Sequence, residues 1–589
     1  MRTDPHVSRY HAGTLSPERR GADLDRMRHE HFDVLVIGGG VTGAGAALDA
    51  ASRGLRVAMV EARDYAAGTS SRSSKLIHGG LRYLEQFEFG LVHEALTERG
   101  LLTNRLAPHL VKPLPFLAPL YSRFQRGYYG LGLAVYDALS TALGHGGRLP
   151  RHRHLSRRGA RRQFPGLAPH RLVGAIRYFD AQTDDARFVV TLARTAASYG
   201  AAVATSTRVV GLNRDARQVT GARVCDLESG DEFDVSATTV IAATGVWSND
   251  LTGMLGSKVG LRVRASKGVH LVVRRSAIAG ETAVILRTPS SVLFILPWGG
   301  HWIIGTTDTD WTLDRDHPAA SAIDVAYLLE LANKSLDRPL TLSDVEGVYA
   351  GLRPLLSGED EDTSQLSREH AVVEPMLGLL LVAGGKFTTY RIMAKDAVDR
   401  AARRLHGVPK SRTADVPLLG ADGYDAAWRD RAETAARVGL STGVMEHLLG
   451  RYGTLTTELL DLIRERPELA APVEGAPEYL AAEVVHAVRH EGALHADDVL
   501  TRRTRISVET AHRGENSVAH VVTLMADELG WSPEEREREI SHYLARVAAE
   551  RDSQRQPDDA TADAARLGAE DVRGMSLTAP GEPAVTGRR

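Results

Sequence analysis

One stretch, residues 33–61 (DVLVIGGGVTGAGAALDAASRGLRVAMVE), constrains this chain more than any other. An apolar strand, Val34 to Ile37, runs straight into Gly38, Gly40 and Gly43 at G-x-G-x-x-G spacing; an Ala-rich helix follows, and a second strand, Val57 to Val60, ends in Glu61. Each part has a reason. Gly38 permits the tight turn, Gly40 lets a pyrophosphate approach the backbone, and Gly43 lets helix and strand pack closely. The helix then aims its N-terminus at the phosphates. A carboxylate at Glu61 accepts hydrogen bonds from a ribose diol and repels a 2′-phosphate, so the expected ligand is FAD or NAD rather than NADP.

The 589 residues suffice for several domain-sized units, and a hydrophobic content of 43% supports a globular protein. A net charge of only −2 argues against the uniformly basic surface that nucleic-acid binding needs. The polar N-terminus lacks the apolar segment of a signal peptide and reads as a flexible extension over residues 1–30. No run of about 18 apolar residues suggests a membrane span; the nearest approach, Tyr128 to Leu143, is broken by Asp137 and glycines. The single cysteine, Cys225, excludes intrachain disulfides, four-thiolate iron–sulfur ligation and C-x-x-C-H haem attachment. Electrons held by a cofactor here have no visible internal wire.

Three further strand signals extend the first unit: Ala201 to Leu212, a hairpin ARVCDLESGDEFDV turning at Ser229, Gly230 and Asp231, and Thr238 to Gly245. The segments GVHLVV, SVLFILPW and HWIIGTTD, the latter two joined at Gly299 and Gly300, read as a separate antiparallel sheet fit to cover a substrate. Leu377 to Leu405 repeats the strand–glycine–helix design, with Gly384 and Gly385 at the strand end and a helix N-terminus aimed at whatever they admit. These features predict an α/β protein: a Rossmann-like lobe over approximately 31–110, 171–262 and 345–405, and a substrate lobe over 111–170 and 263–344. A helical domain follows over 415–550, and a disordered tail over 551–589. His486 and His490, four apart on one helix, lack the H-E-x-x-H glutamate and read as structural; no metal is expected.

The densest polar motif is TSSRSSKLIHGGLRYL, Thr69 to Leu84. It closely resembles the flavin loop of FAD-dependent glycerol-3-phosphate dehydrogenases. KGVHLVV (Lys267 to Val273), PWGGHWIIGTTDTD, GLRPL (Gly351 to Leu355), GGKFTTYR (Gly384 to Arg391) and HEGALHADDVLTRRTRI (His490 to Ile506) are similar to that family's segments in order and approximate spacing. The resemblance covers roughly residues 31 to 550. It implies the two-lobe fold of D-amino-acid oxidase and glycine oxidase with a C-terminal helical domain, and FAD as cofactor. The expected FAD contacts are Gly38, Gly40, Thr42, Gly43, Glu61, Thr69, Ser70, Ser71, Ser73, Ser74, Lys75, Leu76, Ile77, Val209, Ala243, Thr244, Gly245, Gly384, Gly385 and Lys386.

The implied substrate is glycerol 3-phosphate, whose nearly doubly charged phosphate calls for several cations, preferably arginines that grip its oxygens in a fork. The resemblance places Arg82, Arg353, Arg368 and Lys386 there, with Tyr83, His270 and Thr388 also at the substrate. Loss of the C2 hydrogen as hydride must accompany loss of the hydroxyl proton, which asks for an acceptor neutral near pH 7. His78 and His270 are both candidates, as are the substrate phosphate and a water. Without a wire, reduced flavin is expected to deliver electrons to a membrane quinone or to oxygen; the resemblance implies that oxidases of this kind carry an extra insertion in the C-terminal half, and its absence between Gly385 and HEGALHADDVL favours the quinone. GRLPRHRHLSRRGARRQF, with Arg148, Arg151, Arg153, Arg157, Arg158, Arg161 and Arg162, offers an anionic membrane surface a docking patch worth about 1 kcal/mol per cation. The protein is thus expected in the cytoplasm at the inner face of the cell membrane, with a homodimer left open.

Overall fold

The computed structural model describes residues 10–79, 88–122, 124–127, 129–130, 132, 150–256, 262–288, 292–357 and 370–573. Two sheets organise it. In the first, five strands run parallel in the order Leu379–Gly384, Glu232–Ala242, His31–Ile37, Val57–Val60, Ala202–Ala204. His370–Met376 joins antiparallel at one edge, and Thr207–Arg214 with Val219–Asp226 forms an antiparallel extension of Glu232–Ala242. The central strands are apolar almost throughout because both faces are covered. Helices Val41–Ser52, Asp185–Ser198 and Tyr390–Ala402 bury one face in a core that includes Val34, Val36, Phe188 and Val398.

The other face corrects an expectation. Residues 17–29, read as part of a flexible extension, form a helix capped by Ser16 with Pro17 in its first turn. Its Leu24 and Met27 enter the core with Phe32 and Val240, and the buried Asp23 accepts the Val203 backbone N–H at 3.1 Å. The sequence hides this because the apolar stripe is only two residues wide.

The second sheet has ten strands, mostly antiparallel, with Arg262–Arg274 paired to Val345–Ser357 over its whole length and to His301–Gly305 on the other side. Val292–Trp298 and Ala283–Arg287 continue it to Lys112–Leu120, which pairs with Gly174–Gln182. Gly174–Gln182, Val345–Ser357 and the short Leu76–Ile77 were all expected in the cofactor lobe but hydrogen-bond into this sheet. Lobe membership depends on strand partners about 55 to 105 residues away, which no local pattern encodes. Helix Ala322–Asn333, started by a Ser321/Asp324 capping box, covers the face formed by Val269, Leu271 and Trp302.

From Tyr424 to Ser553 the chain is helical apart from a two-stranded turn at Pro472–Val473 and Ala476–Leu480. Its seam with the cofactor lobe is ionic: Arg503 and Arg502 both grip Asp64, Arg505 reaches Asp184 and Asp185, and Arg187 pairs with Glu491. The expected disordered tail is a second correction. Helix Pro533–Ser553 runs beyond residue 550, helix Asp559–Leu567 follows, and Arg573 bonds to Asp498 and Ser206. Residues 574–589 lie outside the described residues, as does Tyr128 with most of the apolar stretch to Leu143. Among the described residues no helix is long and apolar enough to cross a membrane.

Candidate active site

A cavity of about 1520 Å³ runs between the two sheets from the Gly38–Glu61 turn to the strands carrying His270 and Arg353. That exceeds the ~300–1,000 Å³ of an ordinary small-molecule pocket and leaves room for a dinucleotide and a substrate together. At the dinucleotide end the wall is necessarily backbone. Gly38 has φ +108°, and a Cβ there would lie 2.6 Å from the Ala243 carbonyl oxygen; one on Gly43 would lie 1.8 Å from the Gly38 carbonyl oxygen. Gly40 caps helix Val41–Ser52, and Ser70 Oγ accepts the Val41 N–H at 3.0 Å, so the helix N-terminus opens toward the cavity. Glu61 accepts backbone N–H groups from Gly39 at 2.6 Å and Arg63 at 2.9 Å, which fixes its carboxylate at the strand end; burial raises its pKa against the pull of those bonds.

Thr42, Thr69, Ser70, Ser73, Ser74, Leu76, Val209, Ala243, Thr244, Gly245, Gly384, Gly385 and Lys386 all line the same cavity. Ser71, Lys75 and Ile77 do not. Lys75 has φ +61° and turns its ammonium away to Asp185 and the Ser71 carbonyl, each at 2.6 Å, while Ile77 is wholly buried in the core. From Ser74 to Ile77 every second side chain, Lys75 and then Ile77, goes behind the wall. These three are therefore removed from the contact set. Gly43 stands behind Gly38 in its packing role.

At the other end, His270 lies on Arg262–Arg274 with its ring stacked on Tyr349, centroids 4.7 Å apart. Its Nε2 is 2.8 Å from Ser74 Oγ, and its Nδ1 has no partner among the described residues. Burial first, then the Arg353 and Lys75 cations, hold its pKa well below the ordinary imidazole value. His270 is thus neutral at pH 7. Arg353 projects from Val345–Ser357 and is fixed before any substrate arrives: Nη1 donates to Ser266 Oγ (3.4 Å) and Asp308 Oδ1 (3.3 Å), Nη2 to Thr306 Oγ1 and the Thr307 carbonyl (both 3.2 Å). Sequence reasoning missed Ser266, Thr306 and Asp308, although Ser266 adjoins KGVHLVV and the other two lie in HWIIGTTDTD.

Lys386 lines the cavity after Gly384 (φ +75°) and Gly385 (φ +80°), whose turn delivers the chain into helix Tyr390–Ala402. Thr388 Oγ1 accepts the His78 N–H at 3.2 Å, bringing His78 to the same wall. Arg82, Tyr83 and Arg368 lie outside the described residues. Phe116, Pro119, Tyr121, Tyr129, Ile285 and Phe294 give the same cavity an apolar part of its lining. Away from the cavity, His486 and His490 stack on each other, and His486 bonds to Glu458 at 2.7 Å. Arg194 already holds both Glu458 oxygens, at 2.9 and 3.1 Å, so a cation would have to displace a guanidinium.

Comparison with known proteins follows the same outline. A family model described as FAD dependent oxidoreductase matches residues 33–400, and one described as the C-terminal domain of alpha-glycerophosphate oxidase matches residues 411–536. The chain is 52% identical over 564 residues to a glycerol-3-phosphate dehydrogenase of Mycobacterium leprae, covering 95% of this chain and 96% of that protein. It is 36% identical over 547 residues to the mitochondrial glycerol-3-phosphate dehydrogenase of Homo sapiens, covering 89% and 74%. The crystal structure of the glycerol-3-phosphate dehydrogenase from Bacillus halodurans complexed with FAD is similar with a TM-score of 0.75 at 29% identity, over 90% of this chain and 98% of that one. Half of each sequence retained along nearly the whole length, around a cavity whose glycine wall suits the cofactor, means that the chain belongs to the FAD-dependent glycerol-3-phosphate dehydrogenases.

Proposed function

We propose that this enzyme oxidises sn-glycerol 3-phosphate at C2 to dihydroxyacetone phosphate and passes the electrons to a membrane quinone. The observation that carries the reading is the pairing of a buried, neutral His270 with a pre-fixed Arg353 at one end of a dinucleotide cavity. FAD, when bound, supplies the acceptor for the C2 hydrogen and its electron pair. The chain supplies the rest. Arg353 sets its charge toward the substrate phosphate from a guanidinium already held in place, with Lys386 adding charge and Thr388 a hydroxyl; Arg82, Tyr83 and Arg368 belong to the same proposed set. His270 takes the hydroxyl proton at Nε2, the nitrogen beside Ser74, and His78 is the second candidate for that step.

The apolar lining at Phe116, Tyr129 and Phe294 suits a quinone ring. Tyr121, on the same lining, is 40% and Phe124 81% exposed. Arg151, Arg153, Arg157, Arg158 and Arg162 are exposed as well, whereas Arg161 pairs with Asp337. Apolar tips with exposed cations that have no ion pair among the described residues suit docking on an anionic bilayer from the cytoplasmic side. Delivery to oxygen is the competing reading, favoured by the oxidase description of the C-terminal family model. Anaerobic mixing of the yellow holoenzyme with glycerol 3-phosphate should bleach the flavin, and a quinone analogue should restore the colour rapidly. Rapid recovery in air with stoichiometric peroxide decides for the oxidase, and no bleaching overturns the substrate.

A further inference from the structure

A second cavity, of about 70 Å³, lies where the C-terminal helices meet the flavin loop and the substrate sheet. A single water needs roughly 10–15 Å³ in such a cavity, so this one holds about five to seven heavy atoms. Its wall carries Arg72 from the flavin loop, Lys75, Arg505, Arg546 from helix Pro533–Ser553 and Arg566 from helix Asp559–Leu567, against one carboxylate, Glu550. Lys75 and Arg505 are balanced from behind by Asp184 and Asp185. Arg546 has Asp497 behind it, but Asp497 also serves Arg502.

The remainder is short of negative charge. Glu550 is shared by three guanidiniums, Arg566 at 3.2 Å, Arg546 at 3.6 Å and Arg513 at 3.9 Å. The Arg72 side chain makes no hydrogen bond or ion pair with any described residue, although it stands between this cavity and the main one. The buried hydroxyl of Ser507, also on the wall, has no partner among the described residues either. Burial and the mutual repulsion of these cations push Arg72 down to about 9 and Arg546 down to about 10. A buried guanidinium stays charged at neutral pH, so the imbalance persists unless an anion offsets it.

The geometry points to an oxyanion site in this cavity, filled by inorganic phosphate, in which Arg72, Arg546 and Arg566 grip the oxygens and Ser507 donates its hydroxyl. Room for about five to seven heavy atoms takes the five of phosphate and falls short of the ten or so of glycerol 3-phosphate or a lipid headgroup. Planar forks suit tetrahedral oxyanions, and three of them converge here. Bound phosphate ties helices Pro533–Ser553 and Asp559–Leu567 to the loop that carries Ser70, Ser73 and Ser74, and so couples the C-terminal domain to the flavin cavity.

Phosphate titrated calorimetrically into phosphate-free holoenzyme tests this, with the substrate pocket saturated by dihydroxyacetone phosphate. One phosphate per chain should bind despite the competitor; Arg566→Gln should weaken it at least tenfold, and Glu550→Gln should tighten it at least tenfold by removing the competing carboxylate. Complete displacement of phosphate by dihydroxyacetone phosphate overturns the proposal, as does unchanged affinity in Arg566→Gln. Should Arg566→Gln fail to fold, unchanged or weaker binding in Glu550→Gln overturns it, and if neither variant folds the wild-type competition decides. Absence of heat from dihydroxyacetone phosphate alone counts against the substrate assignment and not against this site.

Discussion

Arg353→Ala tests the substrate pocket most sharply, because the structure sets both the size and the pH signature of the effect. The wild-type guanidinium is held by Ser266, Thr306, Thr307 and Asp308 at 3.2 to 3.4 Å, so no ordering is required when phosphate arrives. One charge-assisted interaction with phosphate, worth about 1.5–3 kcal/mol, at 1.36 kcal/mol per decade means that kcat/KM should fall about 10- to 10²-fold. Arg353→Lys, which keeps the charge and loses the fork, should fall between variant and wild type. Arg353 also helps hold the His270 pKa down, second to burial. Its removal therefore raises that pKa, and because the base must be neutral, the acid limb of the kcat/KM profile should move to higher pH. Flavin content, read by absorbance, should not change. A kcat/KM within threefold of wild type, or an acid limb that stays in place, refutes the assignment of Arg353 and His270 to one site.

Asp559 and Asp324 share the fully buried Lys267, at 2.5 and 2.6 Å, so Asp559→Ala should cost about 1.5–3 kcal/mol in chemical denaturation; an unchanged midpoint removes the tail from the fold's stability. His495 is buried, which disfavours its charge, but Glu228 and Glu539 on either side override this and raise it to about 9. Its contribution is complete below the unfolded value near 6.5 and is lost as pH rises through about 9. Wild-type stability should therefore drop between these values more than that of His495→Gln, and parallel curves exclude the ion pair as the cause. Replacing Arg157, Arg158 and Arg162 together by Ala should weaken binding to anionic vesicles by about 1 kcal/mol per residue, with little effect at high salt, while turnover with a water-soluble quinone is retained; undiminished sedimentation with the vesicles moves the docking surface elsewhere.

The first βαβ unit was legible because every determinant lies within residues 33–61: the glycines, the helix and Glu61 specify one another locally. The flavin loop was legible by composition but not in full, since which of Ser73, Ser74 and Lys75 face the cavity depends on a backbone turn at Lys75. The N-terminal helix and the tail were misread as disordered for one reason. Charged residues such as Asp23, Arg573 and Asp559 look solvated in a sequence, whereas here Asp23 caps a strand edge, Arg573 sits on Asp498 and Asp559 offsets Lys267. Hydrophobicity patterns see burial of carbon and miss burial of paired charge.

The sequence by itself determined the cofactor class, the two kinds of sheet and the helical C-terminal domain, because strand, turn and helix signals act over a few residues. The tertiary structure alone decided that Gly174–Gln182 and Val345–Ser357 belong to the substrate sheet, that Arg353 is caged by residues 45 to 87 positions away, and that His270 is neutral. Those properties arise from burial and from charges brought together across the chain, and neither exists until the sheets have closed on each other.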